Sequence, residues 1–118
     1  MISIENSTTR EIWKGIERKL EANKEPYATL NAIYEFQLTD EENSIYQLAL
    51  KDGTATVHFN RQSEPDCTLK MKEKYFKKFL LGNLNSTTAF MTGKLKVDGN
   101  IGLALKLENM LKQFDFTN

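Results

Sequence analysis

The chain has 118 residues, of which 40% are hydrophobic and 27% charged, and its formal net charge is zero. This length predicts one domain over residues 1–118, large enough to bury roughly two thirds of its unfolded surface. The charge balance argues against nucleic-acid binding, which usually needs a basic excess, and no window approaches the ~18 apolar residues of a membrane-spanning helix. The one cysteine, Cys67, excludes an internal disulfide and predicts a reducing compartment, which we take to be the cytoplasm.

The zero net charge conceals an asymmetry along the chain. Residues 1–65 carry a balance of −4 and residues 66–118 a balance of +4, and every basic residue of the second part is a lysine. Five of these lysines surround the aromatic pair at positions 75 and 76: Lys70, Lys72, Lys74, Lys77 and Lys78. We interpret them as a solvated face, and the alternative is transient docking on an anionic membrane or an acyl-CoA head group.

The first predicted element is a helix. A capping box, Thr8-x-x-Glu11, marks its start. Its apolar residues then recur at helical spacing: Ile12, Trp13, Ile16 and Leu20. Asn23 and Pro26 predict that the helix ends there.

From Leu30 onward the hydrophobic period changes to two, which predicts β-strands. The residues that share the inward face are Leu30, Ala32, Tyr34, Phe36 and Leu38 in the first strand, Tyr46, Leu48 and Leu50 in the second, and Ala55, Val57 and Phe59 in the third. Asp52-Gly53 predicts a hairpin between the second and third strands. The pattern therefore predicts an antiparallel meander with one buried face.

The second half of the chain alternates between the two periods. It predicts a fourth strand with Cys67, Leu69 and Met71 inward, a helix at 75–80 that ends at Gly82, a short helix capped by Asn85 that carries Ala89, Phe90 and Met91, a fifth strand at 94–97, and a last helix capped by Asn100. The predicted fold class is α+β, a five-stranded and mostly antiparallel sheet with helices covering one face.

The last helix carries more apolar residues than one buried stripe needs. At 100° per residue, one face holds Leu103, Ala104, Leu107, Met110, Leu111 and Phe114. Ile101 and Leu105 fall outside this stripe. Either they are isolated surface residues, which are common, or the helix has a second apolar partner such as a lipid, a membrane surface or another chain.

The segment before the last helix reads Phe90-Met91-Thr92-Gly93-Lys94-Leu95-Lys96-Val97-Asp98-Gly99-Asn100. It resembles the signature of the sterol carrier protein type 2 domain family, Phe-x-x-Gly-Lys-Leu-x-Val/Ile-x-Gly-Asp/Asn. The similarity extends from Ile12 to Leu111 and includes the order of the elements. One departure is Lys72, where the family usually has a Ser or Asp that caps the following helix.

The resemblance implies an apolar tunnel between sheet and helices, which binds a fatty acid, a fatty acyl-CoA, a sterol-like lipid or a phospholipid. The residues that match tunnel-lining positions are Phe36, Leu48, Val57, Leu69, Phe79, Phe90, Met91, Leu103, Leu107 and Met110. Each is equally explained as plain core, although Met and Phe together suit an adaptable apolar pocket. The alternative function is a filled-core interaction module that forms a homodimer through Ile101, Leu105 and Phe116.

The residues give no catalytic constellation. His58, the only histidine, alternates away from the predicted core, and we interpret it as a solvated strand residue. Cys67 alternates inward and is expected to behave as a small core hydrophobe. No His/Cys/Asp/Glu group has metal-ligand spacing, and the glycines form no phosphate cradle. The sequence therefore predicts a protein that is not an enzyme and takes no cofactor and no metal.

Overall fold

A computed structural model describes residues 7–41 and 44–116. Its elements, in chain order, are α1 (Thr9–Ala22), a single 3-10 turn (Glu25–Tyr27), β1 (Ala32–Leu38), β2 (Ile45–Lys51), β3 (Thr54–His58), β4 (Cys67–Met71), α2 (Glu73–Leu80), α3 (Ser86–Met91), β5 (Leu95–Gly99) and α4 (Ile101–Leu111). No helix within these residues is long and apolar enough to cross a membrane.

The five strands form one sheet in the order β3-β2-β1-β4-β5. Strand β4 runs parallel to β1, and the other three pairings are antiparallel. The start of β4 is fixed to β1 by Asp66, whose carboxylate accepts the Ile33 N–H at 2.8 Å and whose N–H donates to the Ile33 carbonyl at 2.8 Å. The predicted α+β class is confirmed.

The period-two pattern correctly predicts which sheet face is apolar. Cross-strand neighbours such as Tyr34 and Leu48, or Phe36 and Leu69, share that face and are fully buried. Helix α1 packs on the β3 side of the sheet, whereas α3 and α4 pack on the β5 side. The main core therefore lies between the sheet and the helices.

The prediction of only one buried face is wrong at the centre of the sheet. Glu35 and Gln47 point to the reverse face, yet they have no exposed surface. The loop after β3 covers them, because Gln47 donates to the Ser63 carbonyl at 2.8 Å and accepts the Gln62 N–H at 3.0 Å. A buried polar network thus lies on the side opposite the apolar core.

Two helix starts show how capping is achieved in this chain. The capping box of α1 is confirmed, since the Thr8 hydroxyl accepts the Glu11 N–H at 3.2 Å and the Glu11 carboxylate accepts the Thr8 N–H at 2.9 Å. At α2 the N-cap Lys72 makes no side-chain cap. Instead Asp40, on the turn after β1, accepts the Glu73 N–H at 2.8 Å. A carboxylate distant in the sequence therefore accepts the first N–H of α2, whereas a Ser or Asp at position 72 would accept the second or third.

The position before the N-cap of α4 must be glycine for steric reasons. Gly99 has a φ of +98°, and a Cβ at this position would lie 2.6 Å from the Asp66 carbonyl oxygen. Any other residue would be both strained and in collision with backbone there. Asn100 is the N-cap of α4, and its side chain accepts the Gly102 N–H at 2.8 Å, which confirms the predicted cap.

Candidate functional site

The candidate site is the apolar layer between the sheet and helices α2 and α4. Six of the ten predicted ligand-lining residues are buried in the core cluster to which this layer belongs: Phe36, Leu48, Leu69, Phe79, Leu107 and Met110. Val57 and Leu103 are half-buried and pack against the same cluster. Eight of the ten therefore belong to one continuous apolar region.

Phe90 and Met91 do not lie in this interior. They are 44% and 80% exposed, which corrects the sequence prediction of their placement. Helix α3 has only six residues, and its buried face is occupied by Ser86 and Ala89, three residues apart. Phe90 and Met91 lie about 100° and 200° around the helix from Ala89, so they fall outside this buried face.

Helix α4 is the element that closes the interior on one side. Ala104, Leu107, Met110 and Leu111 are buried beneath it, whereas Ile101 and Leu105 lie outside the stripe as predicted and are exposed. Its attachment includes a polar contact, in which the Tyr34 hydroxyl donates to the Leu103 carbonyl at 2.8 Å. Burial raises the pKa of Tyr34, so this hydroxyl keeps its proton as a donor.

A buried carboxylate joins α4 to α3. Glu108 accepts the Ser86 N–H at 3.2 Å and pairs with Lys112 at 3.1 Å. Burial tends to raise the pKa of Glu108, but the hydrogen bonds from Ser86 and Lys112 outweigh it and leave the pKa below its usual range. Helices α3 and α4 are therefore joined to each other by a hydrogen bond, in addition to their packing on the sheet.

Residues 7–41 and 44–116 form two clefts beside the second half of α4. One, of about 180 Å³, is lined by core residues of α2 and α4, including Phe79 and Leu111, and by Phe116. The other, of about 280 Å³, is lined by Leu30, Met110 and neighbouring polar residues. A continuous tunnel, as the resemblance implies, stays a prediction.

Phe116 itself is buried, which corrects its predicted use as a dimer contact. Its ring stacks on Phe114 at 6.0 Å, and the Lys19 ammonium lies 5.8 Å from its ring centre. The chain after α4 thus folds back over the core, and Phe116 is not presented to a partner.

Sequence reasoning missed an aromatic cluster around Trp13. The indole stacks on Phe76 at 5.3 Å and on Tyr46 at 5.7 Å, and meets Phe36 edge to face at 5.0 Å. The helical spacing placed Trp13 in the core but could not reveal these partners. The indole Nε1 is buried without a hydrogen-bond partner among the described residues. The only tryptophan of the chain therefore borders the candidate site through Phe36.

The reactive side chains Cys67 and His58 both belong to strands of the sheet. Cys67 is buried as predicted, and burial raises the pKa of its thiol to about 11. His58 pairs with Gln47 across β2 and β3, so it faces the reverse side of the sheet as predicted. Within residues 7–41 and 44–116, no group of three or more His, Cys, Asp or Glu residues could hold a metal ion.

Curated relatives and solved structures resemble this chain along most of its length. It is 39% identical over 114 residues to hydroxysteroid dehydrogenase-like protein 2 of Xenopus tropicalis, which covers 96% of this chain and 27% of the relative. It is 34% identical over 106 residues to sterol carrier protein 2 of Homo sapiens, covering 86% of this chain and 19% of the relative. The chain thus spans about a quarter or less of these relatives.

The fold comparison gives the same result. The solution structure of the sterol carrier protein domain 2 of Helicoverpa armigera matches with a TM-score of 0.72 and 29% identity, over 88% of this chain and 84% of that one. Sterol carrier protein 2 of Aedes aegypti, solved in complex with the C16 fatty acid palmitate, matches in fold with a TM-score of 0.68 and 20% identity, over 89% and 94%. A family model, the SCP-2 sterol transfer family, matches residues 14–112. The chain belongs to the SCP-2 sterol transfer family.

Proposed function

We propose that this chain binds and carries a hydrophobic ligand in the apolar layer under α4. The ligand classes are a fatty acid, a fatty acyl-CoA, a sterol-like lipid or a phospholipid. The observation that carries the proposal is that Phe36 and Leu69 of the sheet and Leu107 and Met110 of α4 are buried in one hydrophobic core cluster. Family membership and the palmitate complex of the Aedes aegypti protein support it.

The physical basis of binding is removal of apolar ligand surface from water. Burial contributes about 25 cal/mol per Å² before the costs of immobilising the ligand. Methionine and phenylalanine side chains suit ligands of variable shape, because they change rotamer to fill gaps. We therefore expect a preference for long apolar chains rather than for one head group.

Ligand access requires helix α4 to move. The two clefts beside α4, at about 180 and 280 Å³, are smaller than the ~300–1,000 Å³ of typical ligand pockets. Leu69 on β4 and Leu107 on α4, two elements that contact each other, have no exposed surface. We infer that lipid enters by displacing α4 from the sheet, which breaks the hydrogen bond between Tyr34 and Leu103.

We further propose that the ligand is held without chemical change. The reactive group that lines the interior is the Cys67 thiol, and its raised pKa of about 11 leaves almost no thiolate at neutral pH. The Tyr34 hydroxyl is already hydrogen-bonded to the Leu103 carbonyl.

A lone cysteine without a disulfide also supports location in a reducing compartment such as the cytoplasm.

The proposal is tested by native mass spectrometry with palmitate. We expect palmitate to form a 1:1 complex with the protein and to displace a bound fluorescent fatty acid. Leu103→Trp, which enlarges a half-buried side chain of α4, should weaken palmitate binding at least about tenfold. Thr87→Trp, at an exposed position on α3, is the matched control. Failure of the wild type to bind palmitate, acyl-CoA, sterol or phospholipid would contradict the proposal.

The second candidate function is an interaction module with a filled core. The observation in its favour is that Ile101 and Leu105 are exposed on α4. It predicts dimerisation that depends on protein concentration, together with no lipid in the purified protein. Sedimentation velocity over a hundredfold concentration range distinguishes it from the carrier.

A further inference from the structure

Trp13 carries a buried hydrogen-bond donor that has no acceptor. The side chain is 1% exposed, and its indole Nε1 donates to no atom of residues 7–41 and 44–116. A donor buried in this way is costly, because it gives up its hydrogen bond to water and gains none in return. Phenylalanine at this position would keep the aromatic packing without that cost. The indole N–H therefore needs an explanation that packing does not supply.

The immediate neighbours of the indole are aromatic rings. Their centres lie at 5.0 Å for Phe36, 5.3 Å for Phe76 and 5.7 Å for Tyr46. Of these three side chains only Tyr46 has an oxygen atom, and its hydroxyl interacts with Ser44. A buried water needs two or more polar partners, and these rings do not provide them. An acceptor for the indole N–H is best supplied by a bound molecule.

Phe36 places the indole at the border of the apolar layer that we propose as the ligand site. Phe36 on β1 pairs with Leu69 on β4, and both belong with Trp13 to one buried core cluster. The indole meets Phe36 edge to face. A lipid that packs against Phe36 therefore comes close to the indole as well.

We propose that Trp13 Nε1 donates a hydrogen bond to a neutral oxygen atom at the inner end of the bound lipid, either a hydroxyl or a carbonyl. The inference rests on the proposed function, because it assigns a polar contact to the ligand of the same apolar layer. It makes Trp13 a residue that determines specificity. It also divides the proposed ligand classes by what they carry at the end that is buried in the protein.

Negative charge near the indole disfavours a carboxylate as the acceptor. Glu41 accepts a hydrogen bond from the Thr9 hydroxyl at 2.8 Å, and Thr9 precedes Trp13 by one turn of α1. Burial, together with the charge of Glu41, raises the pKa of Tyr46, whose ring stacks on the indole. A second carboxylate buried beside Glu41 would be repelled by it.

The two cations that act on Glu41 and Tyr46 have other partners. The Arg10 guanidinium lies 4.1 Å over an aromatic ring, and Lys77 pairs with Glu73 at 2.9 Å. A ligand carboxylate buried here would thus gain little compensation for its lost hydration. We therefore expect a fatty acid to bind with its alkyl end inward. A sterol-like or hydroxylated lipid is expected to bind with a hydroxyl inward.

The test compares three C16 fatty acids that differ only at the end remote from the carboxylate. Palmitate has a methyl group there, 16-hydroxypalmitate a hydroxyl and hexadecanedioate a second carboxylate. Displacement of a fluorescent fatty acid measures their affinities. For the wild type we expect 16-hydroxypalmitate to bind within about threefold of palmitate, because its hydroxyl finds a partner. Hexadecanedioate should bind at least about tenfold more weakly than either.

Trp13→Phe keeps an aromatic ring and removes the N–H. The affinity for 16-hydroxypalmitate relative to palmitate should fall about tenfold in this variant, because the hydroxyl then enters without a partner. Tyr27→Phe removes one polar atom from another buried aromatic side chain, and as the matched control it should keep the wild-type ratio. The ratio of two affinities cancels a general loss of packing, and circular dichroism verifies that each variant is folded.

A second measurement needs no variant. The chain has one tryptophan, so a proton–nitrogen correlation spectrum of the labelled protein contains one indole N–H signal. We expect the indole proton to move downfield when 16-hydroxypalmitate replaces palmitate, because a hydrogen bond deshields it. This signal reports on Trp13 directly, whatever the stability of Trp13→Phe.

Two results would overturn the assignment of Trp13. One is the same affinity ratio for the wild type and Trp13→Phe, as expected if the N–H only faces an aromatic ring. The other is an indole proton at the same position in the palmitate and 16-hydroxypalmitate complexes. With palmitate binding intact, either result removes only this inference. Failure of all three fatty acids to bind the wild type would contradict the proposed function as well.

Discussion

The guanidinium of Arg61 donates two parallel hydrogen bonds to the carboxylate of Glu35. Arg61 Nε donates to Oε1 at 2.8 Å and Nη2 to Oε2 at 2.7 Å. Gln37 and Gln47 donate to the same carboxylate at 2.6 and 3.0 Å. Glu35 has no exposed surface, whereas the Arg61 side chain is about half exposed. A charge buried on the reverse face of the sheet is thus neutralised by a residue of the loop after β3.

Loss of the guanidinium should destabilise the protein. We expect Arg61→Met to lower the free energy of unfolding by about 1–2 kcal/mol, because Glu35 then keeps only its two glutamine donors. Urea unfolding followed by Trp13 fluorescence measures the change. Arg18→Met, at an exposed position on α1, is the control and should change stability by less than ~0.5 kcal/mol. An equal effect of both substitutions would show that the Glu35 pair contributes nothing.

The same pair predicts a pH dependence of stability. Hydrogen bonds from Arg61, opposed by burial, lower the pKa of Glu35 from 4.5 to about 2. Because the folded pKa is depressed, the contribution of Glu35 is complete above pH 4.5 and is lost as the pH falls from 4.5 towards 2. The stability difference between wild type and Arg61→Met should therefore shrink over that interval. A difference that stays constant down to pH 2.5 would contradict the assignment.

The remote cap of α2 can be tested by removal and rescue. Asp40→Ala should lower the free energy of unfolding by about 1 kcal/mol, because the Glu73 N–H loses its acceptor. Lys72→Asp should recover part of that loss, because position 72 already has the extended N-cap conformation and its carboxylate would accept the N–H of the second or third residue of α2. Urea midpoints of the two single variants and the double variant measure the coupling. A double variant no more stable than Asp40→Ala would exclude this rescue.

The Tyr34 hydroxyl is predicted to hold α4 against the sheet. Tyr34→Phe should cost about 1 kcal/mol of stability and should speed palmitate uptake, because displacement of α4 then breaks one hydrogen bond fewer. Stopped-flow Trp13 fluorescence measures the rate. Tyr27→Phe removes another buried hydroxyl, which is bonded to the Leu20 carbonyl of α1 rather than to α4, and should leave uptake unchanged. Equal uptake rates for wild type and Tyr34→Phe would exclude this restraint.

Local sequence patterns predicted much of the fold. The capping box at Thr8 and Glu11, the alternation through Tyr34 and Phe36, and the asparagine cap at position 100 each depend on neighbouring residues. Such patterns act over a few residues, so a single sequence contains their full signal. The positions of Ile101 and Leu105 outside the buried stripe of α4 followed from helix geometry alone.

The features that sequence reasoning missed join residues far apart in the chain. Arg61 lies 26 residues from Glu35, and Asp40 lies 33 residues from Glu73. No periodicity links such pairs, because the topology of the sheet brings them together. The placement of Phe90 and Met91 was wrong for another reason. A helix of six residues buries one narrow face, and Ser86 and Ala89 already fill it.

Burial of Cys67 makes the protein suitable for thiol labelling. The thiol sits on β4 between its neighbours Tyr34 on β1 and Gly99 on β5, and its raised pKa suppresses reaction in the closed state. A disulfide reagent such as dithionitrobenzoate will therefore modify the protein only during brief openings. The labelling rate, measured with and without palmitate, reports how often the interior opens and whether an occupied interior opens less.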